Sequence, residues 1–157
     1  MNGCDALFIG TALLLNILVV GVYLTSKADR LDLTKRIGDF ILFLAIPFGV
    51  VLVAYIATGR PLRYQLSLGL ILIYLAIELL LDRILNIDFR NMLIPHVLYI
   101  VLFYCVQFAL ITTAFYINRV AGWAVSVSFW ILLAALVYSL AGSKKQTGNQ
   151  KEPGLNP

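Results

Sequence analysis

The chain has 157 residues, 61% hydrophobic and 13% charged, with a mean hydropathy of +0.92 and a formal net charge of +4. A soluble domain is about half apolar and about a quarter charged, so most of this chain must face lipid. At about 20 apolar residues per crossing there is room for five spans and short connections but not for a separate soluble domain. The basic residues form no single face with interleaved aromatics, so no nucleic-acid partner is expected. Neither of the two cysteines lies in a CxxC pair, so a dithiol relay has no motif.

The opening MNGCDALFIG lacks a basic leader region, and no A-x-A pattern follows the apolar run. The first run, Ala6 to Thr25, therefore reads as a retained span rather than a cleaved signal. Asn16 lies near its centre, where an amide is expected to hydrogen-bond to a neighbouring helix. The connection 26–38 carries Lys27, Arg30, Lys35 and Arg36. The second run, Asp39 to Thr58, contains AIPFGV. Pro47 removes a backbone donor and frees the carbonyl of Phe43, and Gly49 follows, so both residues are hinge candidates. Proline is also readily accommodated in membrane helices, and that reading is preferred.

The connection 59–63 holds Arg60 and Arg63, and the third run extends from Tyr64 to about Ile84. The fourth, Ile94 to Ile117, contains His96, Cys105 and Gln107. Cys105 reads as a small buried hydrophobe. A two-residue turn, Asn118 and Arg119, leads to the fifth run, Val120 to Leu140. There Gly122 with Ser126, and Ala124 with Ser128, have small-xxx-small spacing, and Trp130 is expected to pack inside the bundle. None of the runs alternates as barrel strands do, and helices satisfy their own backbone in lipid. The fold class is thus an all-α integral membrane protein, a bundle of five transmembrane helices. Residues 1–142 form the membrane domain, and 143–157 a polar tail expected to be disordered.

Alternate connections carry nine and three basic residues. The positive-inside rule puts the nine in the cytoplasm, which leaves the N-terminus outside and the C-terminus cytoplasmic, in the plasma membrane. An aromatic belt follows, with Tyr55, Tyr64, Tyr116 and Trp123 at the outer interface and Tyr23, Phe89 and Tyr138 at the inner one.

The third run carries the residues that need a reason. Tyr74, Glu78 and Asp82 recur every four positions and share one helix face. Asp82 lies at the interface, and Glu78 about 9 Å deeper at about 1.5 Å per residue. An acid at that depth is costly and points to function unless it is neutral or paired. The only histidine, His96, starts the next span on the same side. Glu78, Asp82 and His96 therefore converge on a cytoplasm-facing vestibule and form a candidate Zn or Mn ligand set. Tyr74, Asn16 and Gln107 complete the polar candidates for an ion or solute path. One histidine excludes intrachain bis-His haem, and no nucleotide motif is present, so a divalent metal is the only cofactor with any support.

Transport or conduction of an ion or small solute is the reading preferred here. With only five helices, a homo-oligomer or other membrane subunits would be its partners besides the bilayer. Two alternatives are a non-catalytic subunit or assembly factor of a membrane complex, and a metal-dependent lipid enzyme. The enzyme reading uses Glu78, Asp82 and His96, with Arg83 and Arg90 for a phosphate headgroup; it ranks last because the spacing matches no reaction template.

Overall fold

The computed structural model describes residues 2–28, 30–80 and 93–143, and for 31, 93–96 and 140–143 the backbone alone. These residues form α1 (Gly3–Lys27), α2 (Leu31–Phe43), α3 (Ala45–Ala57), α4 (Leu62–Leu79), α5 (Leu93–Ile117) and α6 (Arg119–Ser143). Five stretches are long and apolar enough to cross a membrane, with α2 and α3 together making the second. The chain is a polytopic, all-helical integral membrane protein.

Local chemistry explains the helix ends. At the start of α1 the Asn2 N–H donates to Asp5 Oδ2 at 3.1 Å, and the acid lies at the positive end of the helix dipole. The end of α3 is a Schellman turn. Gly59 takes φ +63°, its N–H reaches Ile56 O at 3.1 Å, and the Arg60 N–H reaches Tyr55 O at 2.9 Å. Pro61 then caps α4. Asn118 alone separates α5 from α6, and its Oδ1 accepts the Val120 N–H at 2.9 Å.

The second span departs from the sequence reading in two ways. Helix begins at Leu31, not at Asp39, so most of the expected 26–38 connection is helical. Asp32, Lys35 and Arg36 are exposed while the other face of α2 meets α1. Thr34 Oγ1 donates to Thr25 Oγ1 at 2.9 Å, and Ile37 packs beside Gly21. The span also breaks at Leu44. Pro47 has no N–H for the Phe43 carbonyl, so Leu44 tightens back to Ile41 O at 3.1 Å and Phe48 resumes the ladder on Leu44 O at 3.2 Å.

Each span packs against the next, α1 on α2 and α3, α3 on α4, α4 on α5 and α5 on α6, and α6 closes the ring on α1. The beginnings of α1, α4 and α6 share one end of the bundle with the finishes of α3 and α5; this is termed the N-end. Phe8, Leu15, Phe48, Val51, Leu68, Ile71, Leu75, Val106, Leu110 and Leu132 fill the interior and are wholly buried. Of the small-xxx-small residues, Gly122 and Ser128 serve contacts within the chain, whereas Ala124 is exposed. A Cβ on Gly122 would lie 2.4 Å from the Phe115 ring of α5, and Ser128 meets α1.

Four aromatic or cysteine assignments are corrected. Trp130 is 68% exposed on the outside of the ring, and Cys105 is exposed there too. Tyr55 and Tyr64 turn inward and are buried, so they are not part of a lipid-facing belt. Tyr116, Trp123 and Tyr138 are exposed, as a belt requires, whereas Tyr23 is half-buried. Phe89 lies outside the described residues.

Candidate functional site

Glu78 stands in the last turn of α4, half-buried, with Tyr74 one turn before it. Tyr74 is buried against α5, its ring 5.6 Å from that of Tyr99 and 5.9 Å from that of Phe103. The Tyr74 and Tyr99 hydroxyls are 2.7 Å apart, and the Tyr99 hydroxyl donates to Glu78 Oε2. A phenol has one proton to give. Tyr99 spends its proton on Glu78, so Tyr74 donates to Tyr99. The result is a directional row, Tyr74 to Tyr99 to Glu78, running from the packed interior toward the end opposite the N-end.

This row is the part of the expected vestibule that the structure brings together. Asp82 and the side chain of His96 lie outside the described residues, as do Arg83 and Arg90. Among the described residues no group of three His, Cys, Asp or Glu side chains is assembled, so the candidate metal set is represented by Glu78 alone. Pro47 acts at the Leu44 break, and Gly49 lies within the regular turns of α3.

Asn16 and Gln107 do not join the row. Asn16 Nδ2 donates to Ser128 Oγ at 2.7 Å, the cross-helix bond expected of it. Its Oδ1 has no partner among the described residues. A shallow groove of about 90 Å³ between α1 and α6 is lined by Asn16, Ile17, Val20, Ser128 and Ile131. Gln107 is 0% exposed, and neither of its amide atoms has a hydrogen-bond partner among the described residues. It is therefore not the cross-helix link that its type suggested. At about 100° per residue it projects between Phe103, which meets Tyr74 of α4, and the Tyr104–Phe108 row, which meets Phe129 of α6.

A second polar cluster, absent from the sequence reading, lies at the N-end. Asp5 is only 4% exposed. Its Oδ1 accepts from the Tyr55 hydroxyl at 2.9 Å, and Arg60 Nη2 reaches Oδ1 at 3.2 Å and Oδ2 at 3.1 Å. The Schellman turn fixes the Arg60 backbone, and Gln65 Nε2 holds its carbonyl at 3.0 Å. The signals for this cluster were Asp5 three residues after an N-cap asparagine and the Gly-Arg-Pro sequence after Thr58. Each looked local, and only the fold joins them.

Comparison with protein-family models, curated proteins and solved structures finds no match to this chain.

Proposed function

We propose that the protein moves a proton or a small cation across the membrane, with Glu78 as the exchanging group and Tyr99 and Tyr74 as the hydroxyls that hold its carboxylate and turn to accept from it when it is protonated. The observation that carries this reading is the row of a half-buried carboxyl and two phenols, one of them buried, between α4 and α5. Hydroxyls that both donate and accept can reverse their bonds as Glu78 alternates between carboxylate and carboxylic acid. An intramembrane acid held in this way is costly unless it is used.

In this reading Asp82 and His96 complete the vestibule at the mouth of the path. The distribution of nine and three basic residues makes the N-end extracellular and the Glu78 end cytoplasmic, in a plasma membrane, with 143–157 as a cytoplasmic tail. Leu68, Ile71, Val106 and Leu110 pack the bundle between the row and the N-end. Transport therefore requires movement, for which the Leu44 break is the available joint, or a path between copies in a homo-oligomer.

The test is proton flux into proteoliposomes that hold a pH-sensitive dye, driven by a potassium diffusion potential. Glu78→Gln is expected to abolish flux and Tyr99→Phe to reduce it, with both variants folded. Undiminished flux in Glu78→Gln rejects the role of Glu78.

A further inference from the structure

The N-end of the bundle is unbalanced in charge. Arg60, Arg63 and Arg119 lie there with one described carboxylate, Asp5, which is already bound to Arg60. Arg60 contacts Asp5 through Nη2 alone, which leaves Nε and Nη1 outside that ion pair. Arg63 is exposed and has no acid within ion-pair distance among the described residues.

Neither guanidinium floats freely. Arg63 lies 4.1 Å over the Tyr116 ring and 5.4 Å over the Tyr64 ring. Arg60 lies 5.5 Å over Tyr55 and 5.8 Å over Tyr64. Tyr64 is thus flanked by both cations, its own hydroxyl reaches Tyr116 O at 3.4 Å, and its ring is 6.1 Å from that of Tyr116. A guanidinium resting on a ring keeps its in-plane N–H groups available, and that edge matches two oxygens of a phosphate. Part of the ordering entropy of binding is already spent in the free protein. The half-buried Arg60, the exposed Arg63 and the exposed Tyr116 ring mark the level where the apolar span gives way to headgroups.

We propose that Arg60 and Arg63, held on the Tyr64 and Tyr116 rings, form a binding site for an anionic phosphate ester at the membrane surface. The same chemistry would take the phosphate of an anionic lipid or a free phosphate. The site is independent of Glu78, lies at the opposite end of the bundle, and stands whether or not the protein transports anything.

The test is native mass spectrometry of the full chain in detergent, titrated separately with phosphatidylglycerol and phosphatidylcholine. The intact protein is expected to retain phosphatidylglycerol several-fold over phosphatidylcholine. Arg63→Gln is expected to lose about tenfold in that retention, Arg63→Lys less, and Tyr116→Leu several-fold because the cation loses its shelf. Arg63 touches α5 only through the exposed Tyr116 ring, so thermal unfolding of Arg63→Gln should fall little below the parent, and far less than the loss in lipid retention. Added millimolar orthophosphate identifies the source. Displacement of the lipid assigns the site to phosphate alone, and retention assigns it to a lipid that also needs its acyl chains. Equal retention of the two lipids, or unchanged phosphatidylglycerol binding in both Arg63→Gln and Tyr116→Leu, overturns the proposal.

Discussion

Asn16 on α1 donates to Ser128 on α6, and the next bond in the row fixes that direction. Ser128 Oγ gives its proton to Val125 O at 2.7 Å, so toward Asn16 it can only accept. The amide must present Nδ2 to Ser128, and Oδ1 is left without a partner among the described residues. The clasp between the two helices is therefore half satisfied.

This makes the two truncations unequal. Ser128→Ala orphans both amide atoms and should destabilise the bundle by about 1–2 kcal/mol. Asn16→Leu removes both and should stay within about 0.6 kcal/mol of the parent, the usual worth of one such bond in lipid. The double variant should follow Asn16→Leu. Equilibrium unfolding in mixed micelles reads the difference, and equal losses in the two single variants would contradict the bond direction.

Gln107 offers the opposite sign. Its buried amide forms no hydrogen bond among the described residues. Gln107→Leu should raise stability by about 1–3 kcal/mol, the cost of leaving such a group unsatisfied. A loss of stability on the same unfolding curve would show that the amide has a partner in the membrane.

Gly122 is fixed by contact. A methyl there meets the Phe115 ring at 2.4 Å, and Cγ, the first ring atom, is among the atoms struck. Only a new χ1 or a backbone shift relieves the clash, so Gly122→Ala should cost about 1–3 kcal/mol despite its better helix propensity. Adding Phe115→Ala should recover most of that loss. No recovery would place the constraint elsewhere.

The Asp5–Arg60 pair couples residues 55 positions apart, with the arginine 29% exposed. Water still reaches one partner, so a double-mutant cycle of Asp5→Ala and Arg60→Ala should give a coupling of about 1 kcal/mol, shrinking in high salt. Tyr55→Phe should lower that coupling, since it removes one of the bonds that orients the carboxylate. A cycle energy near zero would make the cluster incidental.

Apolar run length located the five spans, because a bilayer core sets a minimum length that chance rarely produces. It could not say which face of a span is inside. In water the two faces of a helix differ in polarity, but in lipid both are apolar, and Trp130 and Cys105 were assigned to the wrong side for that reason. Glu78 was legible because a carboxylate stands out in such a run, and Tyr74 because it lies one turn away. Tyr99 was not legible, since it reaches Glu78 only through the pairing of α4 with α5. The early start of α2 was hidden by its charges, which suit a helix at an interface as well as a loop. Asp82 and the side chain of His96 lie outside the described residues.

The closure of the ring by α6 on α1 has a consequence for biogenesis. An extensive helix interface joins the first and the last of the described spans. Asn16 and Ser128 are 112 residues apart, which at about 5–20 residues per second separates their emergence by on the order of ten seconds. During that interval α1 waits in the bilayer with its amide unmatched, and α6 of a neighbouring copy can offer the same serine. Nascent-chain timing therefore sets a competition between closing within one molecule and exchanging a helix between two.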